Sequence, residues 1–223
     1  MNKVVNSHQA IEKITDGSSI LVSGFVLRGA PNDLLKALLD KGVKNLTIIT
    51  NDSGLPGENA IWALMEAGRV RKFVCSFLGL NPASGKMMME HPEMFEIIPQ
   101  GTLAEKIRCG GSGIPGFLTP VGVDTEIEKG KTKIVMGGKV CLLEESIHAD
   151  VALIHATKAD AYGNCFLRGS NKCFGAIMPM AADYVIAEAE EIVEVGGIDP
   201  ELVTVPAVFV DAVVKVGEYN VGQ

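Results

Sequence analysis

The chain has 223 residues, of which 47% are hydrophobic and 21% charged, and a formal net charge of −7. A chain of this length buries roughly 70–75% of its unfolded surface, so one domain over residues 1–223 can form a core without disulfides or metals. No apolar run approaches the ~20 residues that a bilayer-spanning helix needs, and the acidic charge, with no basic cluster, argues against a nucleic-acid partner.

Apolar runs alternate with helical segments, which predicts an α/β fold with an open, mostly parallel sheet and helices on both faces. In chain order, the predicted strands cover residues 20–25, 46–50, 72–77, 95–98, 151–156, 184–189 and 213–216. Between them, one helix starts at Pro31 and stops at Gly42, a second covers residues 58–67, and a third covers residues 102–108. The carboxyl ends of such strands line a single crevice.

Two glycine-rich stretches depart from this alternation. In KTKIVMGGKVCLLEE, Gly137 and Gly138 separate two β-rich runs, which predicts a hairpin inserted at a sheet edge. IRCGGSGIPGFLTPVGVDT contains Gly110, Gly111 and Gly113, whose missing side chains let a backbone approach a narrow ligand. We therefore predict an ordered loop over a site there.

The stretch DGSSILVSGFVLRGAP, residues 16–31, begins as a strand, bends at glycines and ends where a helix starts. It contains neither the G-x-G-x-x-G spacing of dinucleotide sites nor the Gly-Lys-Ser/Thr of phosphate loops. Its backbone amides and Arg28 suit a phosphate, a carboxylate or a thioester oxygen. The alternative is a tight strand-to-helix turn that holds no ligand.

Polar side chains follow other predicted strands, in the loops 51–56, 79–85 and 99–101. Asn51 and Gln100 offer donors and an acceptor without charge, which suits a carbonyl or a developing oxyanion, although turn formation and helix capping are the alternative. The neighbouring charged residues are expected to be solvated or on helix surfaces: Asp52, Glu105, Arg108 and Asp160. No Gly-x-Ser-x-Gly elbow is present, so a nucleophile within this chain is not evident.

Histidine and cysteine usage indicates no metal and a reducing compartment. The spacing of His91, His148 and His155 is not that of zinc sites. The opening residues MNKVVNSHQAIEKITDG do not resemble a secretory signal, so we expect a cytoplasmic protein. The scattered cysteines are expected to be reduced and mostly buried as small apolar side chains: Cys75, Cys109, Cys141, Cys165 and Cys173.

Residues 16–31 resemble the signature of the family I coenzyme A transferases, in particular the α (A) subunits of two-subunit 3-oxoacid and acetate/butyrate–acetoacetate enzymes. The family pattern is an acidic residue, Gly, two residues, three apolar residues, Gly-Gly-Phe, three residues, Gly, one residue and Pro; only Ser23, in place of the first Gly of the pair, departs from it. Blocks such as LTIITND, PQGTLAEKIRCGGSG and HADVALIHATKADAYGNCFLRG extend the resemblance over nearly the whole chain.

The resemblance implies transfer of coenzyme A between a short-chain acyl-CoA, such as acetyl-CoA or butyryl-CoA, and a carboxylate such as acetoacetate. In this family a glutamate in a Ser-Glu-Asn/Gln-Gly context forms an acyl-glutamyl anhydride and then a glutamyl-CoA thioester. This chain lacks that context, and LEES at residues 143–146 is not one. The glutamate is therefore expected on a β subunit, in an α2β2 assembly, with coenzyme A thioesters as substrates and no cofactor.

The resemblance also assigns residues. Asn51 and Gln100 match polar positions near the reacting carbonyl, and the coenzyme A-contacting loop comprises Gly24, Phe25, Val26, Leu27, Arg28, Gly29 and Ala30. Arg28 favours a dicarboxylate such as 3-oxoadipate, whereas the apolar residues before it favour a short monocarboxylate. A sugar-phosphate isomerase, which needs an internal base, and a ligand-sensing regulator domain, which normally carries a DNA-binding helix pair, remain alternatives on the same fold.

Overall fold

The computed structural model describes residues 2–26, 28–55 and 60–217. Within these ranges the α-helices are α1 (Ser7–Ala10), α2 (Asn32–Lys41), α3 (Ala60–Glu66), α4 (Pro82–Glu90), α5 (Gln100–Gly111) and α6 (Lys172–Gly175). Short 3₁₀ helices cover Pro92–Met94, Glu126–Glu128, Gly169–Asn171, Met178–Ala181, Pro200–Leu202 and Ala207–Phe209.

The strands form two sheets. They are β1 (Ser19–Val22), β2 (Leu46–Ile49), β3 (Val70–Cys75), β4 (Phe95–Ile97), β5 (Gly116–Thr119), β6 (Lys133–Met136), β7 (Lys139–Glu145), β8 (Ala149–Asp160), β9 (Cys165–Phe166), β10 (Ala182–Val193) and β11 (Ala212–Lys215). In the part of the chain described, the main sheet has the order β11-β10-β8-β1-β2-β3-β4 with parallel neighbours, and β9 pairs antiparallel with β8. The predicted open, mostly parallel sheet is confirmed.

Each central strand contributes to a core on both faces of the main sheet. Ile20 and Val22 of β1 pack into one cluster with Leu34 of α2, whereas Leu21 packs into the other with Leu103 of α5. Successive side chains of a strand point to opposite faces, so a nearly continuous apolar run covers both. Helices lie on both faces, as predicted.

The strands differ from the predicted ranges mainly at their ends. β1 stops at Val22 rather than at residue 25, whereas β8 and β10 each extend to 12 residues. These two long strands pair from Ala149 and Ala182 to Asp160 and Val193, and they therefore continue beyond the last residue of β1. The extension carries polar side chains of β8 and β10 past the end of β1.

The helices also require corrections. Pro31 precedes α2 as its cap residue, and Gly42 ends the helix with a φ of +79°. The predicted loop 79–85 instead contains the start of α4, where the Asn81 side chain accepts hydrogen bonds from the backbone of Ala83 and Ser84. Residues 56–59, which include the predicted start of the second helix, lie outside the described residues, as does Leu27.

The predicted hairpin at Gly137 and Gly138 is present, but it does not extend an edge of the main sheet. β6 and β7 belong to a separate antiparallel sheet of order β5-β7-β6, and β5 lies in the stretch predicted as a loop. Glu144 of β7 is 2% exposed and accepts hydrogen bonds from Lys106 of α5 and from Lys131. Burial opposes ionisation, but these two ammonium groups hold the pKa of Glu144 below its usual value, and the ion pair with Lys106 fastens the small sheet to α5.

Candidate active site

The first predicted site loop, residues 23–31, is held to itself and to a neighbouring strand by the side chain of Ser23. The Ser23 hydroxyl donates to the carbonyl oxygen of Gly29 at 2.7 Å and accepts from the backbone N–H of His155 in β8 at 3.1 Å. Ser23 is 1% exposed, so these bonds satisfy a buried hydroxyl. The single departure from the family pattern therefore ties the loop to the neighbouring strand.

The tip of this loop is a tight backbone turn held by a buried carboxylate. Phe25 and Arg28 exchange two backbone hydrogen bonds of 2.8 and 3.0 Å. Val26 has a φ of +58°, which is unfavourable for a β-branched residue, and its N–H donates to Asp52 Oδ2 at 2.8 Å. The Asp52 carboxylate therefore helps to hold a strained conformation.

Two glycines of the loop are required by geometry. Gly24 has a φ of +135°, and a Cβ there would lie 3.3 Å from the backbone nitrogen of Ala30. Gly29 has a φ of +73°, and a Cβ there would lie 3.0 Å from Oδ1 of Asn171. The positive φ and the close neighbours together make any larger residue at either position strained.

Asn51 and Gln100, 49 residues apart in sequence, meet at the ends of β2 and β4. Gln100 Nε2 donates to Asn51 Oδ1 at 2.9 Å, and the Ser76 hydroxyl donates to the same oxygen at 3.0 Å. Asn51 Nδ2 in turn donates to Asp52 Oδ2 at 2.8 Å. An amide NH₂ has two N–H bonds, so each amide retains one that these hydrogen bonds do not use. Gln100 is exposed whereas Asn51 is 2% exposed, so the arrangement can present the free N–H of Gln100 to a substrate oxygen while Asn51 holds the Gln100 amide in place.

Asp52 is not a solvated charge, and that prediction is wrong. It is 7% exposed, and besides Val26 and Asn51 it accepts from the N–H of Gly54 at 2.8 Å. Asp160 is also buried, where it accepts from the N–H groups of Tyr162 and Asn164 in the turn after β8. Both carboxylates organise loops through backbone donors.

The charged pair on α5 does behave as predicted. Arg108 and Glu105 form an exposed ion pair with a 2.7 Å contact. Ion pairs in water contribute little to stability, and this pair has no part in the amide network.

The glycines at the end of α5 pack against the chain itself. Gly110 and Gly111 lie inside the helix rather than in the predicted loop. A Cβ on Gly110 would lie 1.8 Å from the carbonyl oxygen of Ile147, and one on Gly111 would lie 2.6 Å from Cβ of Met180. Gly113 follows the helix with a φ of +69°. The close approach inferred for the first two glycines is therefore to neighbouring backbone and side chain.

A small recess of about 200 Å³ lies beside Gln100 and includes Cys173 and Phe174 of α6. Cys173 is exposed, whereas the other four cysteines are buried as predicted. Partial desolvation by the surrounding chain nevertheless raises the pKa of the Cys173 thiol, and the charge of Asp52 adds to the rise. Burial raises the pKa of Cys75 to about 12. Neither thiol is activated as a nucleophile.

A larger cleft of about 680 Å³ is lined by Arg28, Gly29 and Ala30 of the loop together with residues of later segments. These include His155 of β8, Glu190 of β10 and Arg168, which were not predicted as site residues. No local sequence signal marks these residues. His155 and Glu190 are brought together only by the extended pairing of β8 with β10. Across the described ranges, no group of three or more His, Cys, Asp or Glu is placed to hold a metal, and no helix is long and apolar enough to cross a membrane.

Comparison with known proteins matches residues 4–216 to the family model described as coenzyme A transferase. The chain belongs to this family. It is 40% identical over 212 residues to the alpha subunit of the acetate CoA-transferase of Escherichia coli (strain K12), covering 95% of this chain and 96% of the relative. It is 42% identical to the corresponding subunit of the 3-oxoadipate CoA-transferase of Pseudomonas putida, covering 97% and 94% of the two chains. The chain is thus the α subunit of a coenzyme A transferase.

Solved structures agree on the fold of this transferase subunit. The glutaconate coenzyme A-transferase from Acidaminococcus fermentans superposes with a TM-score of 0.82 at 21% identity, covering 99% of this chain and 78% of the other. An acyl-CoA transferase from E. coli O157:H7 also gives a TM-score of 0.82 at 21% identity, with 96% of this chain matched to 47% of that longer chain. At this identity the likeness concerns the fold alone.

Replacing Gly29 of the transferase subunit by Val is expected to weaken acyl-CoA binding while the chain still folds. The added side chain requires a left-handed backbone and displaces Asn171, at a cost of about 1–3 kcal/mol. Gly68→Val is a matched control, because Gly68 has a φ of +64° with nothing within 4 Å of its Cβ position. Thermal unfolding should report a loss of stability for both variants, larger for Gly29→Val because of Asn171, and calorimetry with acyl-CoA should show weakened binding for Gly29→Val alone. Equal binding by both variants would contradict the loop assignment.

Proposed function

We propose that this α subunit works with a β subunit to move coenzyme A between a short-chain acyl-CoA, such as acetyl-CoA or butyryl-CoA, and a carboxylate such as acetoacetate. The observation that carries the proposal is the hydrogen bond between the amides of Asn51 and Gln100, which lie just after the carboxyl ends of β2 and β4. Neutral donors fixed at the site of a developing oxyanion lower the barrier to acyl transfer without requiring a proton exchange.

The proposed reaction uses a glutamate of the β subunit. Its carboxylate attacks the thioester carbonyl, the C–S bond breaks, and coenzyme A leaves as a thiolate to give an acyl-glutamyl anhydride. The thiolate then attacks the glutamyl carbonyl, which releases the first acid as a carboxylate and forms a glutamyl-CoA thioester. A second carboxylate reverses these two steps. The negative charge on each tetrahedral oxygen is where the amide donor of Gln100, held by Asn51, acts.

The side chains of the amide network support a nucleophile from another chain. The Ser76 hydroxyl donates to the backbone and side-chain oxygens of Asn51 and has no adjacent base in the network, and Asp52 accepts from three surrounding N–H groups. The Cys173 thiol has a raised pKa. The proposed assembly is therefore an α2β2 tetramer in which each site combines amides of one subunit with the glutamate of the other, and coenzyme A thioesters are substrates with no further cofactor.

The substrate choice rests on the loop before α2. Phe25 is exposed at the tip of the turn and favours a short apolar acyl group. A second candidate, transfer to 3-oxoadipate, is favoured by Arg28, which lines the larger cleft, and by the Pseudomonas putida relative named for that acid. A second carboxylate would gain from a nearby guanidinium.

The test is a steady-state panel with the chain assembled with its β subunit. Acetyl-CoA, butyryl-CoA and succinyl-CoA serve as donors, and acetate, butyrate, acetoacetate and 3-oxoadipate serve as acceptors. The highest kcat/KM is expected for acetoacetate with acetyl-CoA or butyryl-CoA. A higher value for 3-oxoadipate would support the second candidate, and absence of transfer in every pair would overturn the proposed function.

A further inference from the structure

Two arginines from distant parts of the sequence line the same cleft. Arg28 lies in the loop after β1 and Arg168 lies after β9, and both are exposed. Within the described ranges, neither guanidinium takes part in a hydrogen bond or an ion pair. By contrast, Arg69 donates to the carbonyl oxygen of Gly42, and Arg108 pairs with Glu105. The cleft thus holds two cationic groups whose donors are unused.

The backbone at both arginines is held by hydrogen bonds. The N–H of Arg168 donates to the hydroxyl of Thr157 in β8 at 3.2 Å, and the backbone of Arg28 pairs with Phe25. Asn171 packs against Gly29, which joins the two arginine-bearing segments. These contacts fix the two backbone positions from which the arginine side chains line the same cleft.

Glu190, which lines the cleft, and the buried Glu188 two residues before it already have other partners. Glu190 Oε1 lies 3.0 Å from Nε2 of His155, and Glu188 Oε1 lies 3.6 Å from Nδ1 of the same ring. Glu188 also accepts from the N–H of Leu34 at the start of α2. Burial opposes protonation of His155, but the two carboxylates outweigh it and raise the pKa of the imidazole.

The balance of charge in the cleft is therefore positive. Among the charged residues that line the cleft, Arg28 and Arg168 outnumber the carboxylate of Glu190, and any charge on His155 adds to the positive side. Neutral polar residues complete the lining, including Thr157, Ser170 and Asn171. Guanidinium groups bind carboxylate and phosphate oxygens in paired hydrogen bonds, so this lining suits an oxyanion.

We propose that the cleft between Arg28 and Arg168 binds an anionic group, a carboxylate or a phosphate, that belongs to a substrate of the transfer reaction. This inference rests on the proposed function for the identity of the ligand. The group has two sources in that reaction: the phosphates of coenzyme A, or the distal carboxylate of a dicarboxylic acid. Both present the same oxyanion chemistry to the two guanidinium groups.

The test compares Arg28→Gln, Arg168→Gln and the double variant in the enzyme assembled with its β subunit. Arg71→Gln is the matched control, because Arg71 is an exposed arginine near the amino end of β3, at the opposite end of the strand from the site loops. Two ratios of kcat/KM are measured for each variant: acetyl-CoA against acetyl-pantetheine, and succinate against butyrate. Circular dichroism checks that each variant is folded. If the double variant does not fold, the kcat/KM ratios of the two single variants are compared with those of the wild type and of Arg71→Gln.

A charged hydrogen bond between an arginine and the substrate contributes to the binding free energy. Its loss should therefore change one of the two kcat/KM ratios by about tenfold or more. A fall in the acetyl-CoA ratio identifies the phosphates as the bound group, and a fall in the succinate ratio identifies the carboxylate. Changes of less than about threefold in both ratios, or changes equal to those of Arg71→Gln, would overturn the proposal.

Failure of the proposed function has a different signature, because the wild-type assembly would then transfer no coenzyme A. In that case, calorimetry with inorganic pyrophosphate and the full chain tests the cleft directly. Binding that weakens by about tenfold in the double variant but not in Arg71→Gln would support an anion site, and binding that is absent from the wild type or insensitive to the variants would refute it.

Discussion

The purified chain is expected to transfer no coenzyme A by itself, with turnover appearing only when a β subunit is added. The sequence contains no Ser-Glu-Asn/Gln-Gly segment. The groups around Asn51 and Gln100 are amides, a hydroxyl that donates to Asn51, and the Asp52 carboxylate, which already accepts three hydrogen bonds. Transition-state donors without a nucleophile cannot form the covalent intermediates of the proposed reaction. The expected effect is loss of all measurable activity.

The measurement begins with circular dichroism to show that the isolated chain is folded. Formation of acetoacetyl-CoA from acetoacetate and acetyl-CoA or butyryl-CoA is then followed with and without the β subunit. In the assembled enzyme, tritiated borohydride reduces the glutamyl-CoA thioester to an alcohol and should label only the β subunit. Label on this chain, or turnover by this chain without its partner, would contradict the assignment of the nucleophile.

Replacing Gln100 by Ala in the assembled enzyme is expected to lower kcat by ~10²-fold with a much smaller change in acyl-CoA binding. The amide of Gln100 is positioned by its 2.9 Å bond to Asn51 Oδ1, and its second N–H is available to a substrate oxygen. A donor aimed at an oxyanion stabilises the transition state more than the ground state, so the loss falls on kcat.

Gln100→Met tests the same point at nearly constant side-chain volume and should reproduce the loss, because it also lacks the amide donor. Gln9→Ala is the control for removing a glutamine, since Gln9 caps α1 through the backbone of Asn6. Steady-state kinetics and calorimetric binding of acyl-CoA separate the two effects. A kcat of Gln100→Ala close to that of the wild type would contradict the role of Gln100 as an oxyanion donor and leave it only a structural role at the start of α5.

The sequence by itself determined the elements that depend on near neighbours. The apolar runs around Ile20, Ile48 and Val74 predicted strands of the parallel sheet, and the leucines before Gly42 predicted α2. Alternating burial and a left-handed helix end are properties of a few consecutive residues, so they can be read locally. The motif in residues 16–31 likewise indicated the family.

Tertiary structure decided what depends on segments that meet only after folding. An aspartate after a strand looks like any turn residue, and Asp52 became a buried acceptor because the loop carrying Val26 folds over it. The stretch that contains β5 lacks a strong strand signal and pairs because β7 lies beside it. The cleft of Arg28 and Arg168 exists because β8 lies between β1 and β10 in the sheet, an order fixed by long-range packing of both cores rather than by local pattern.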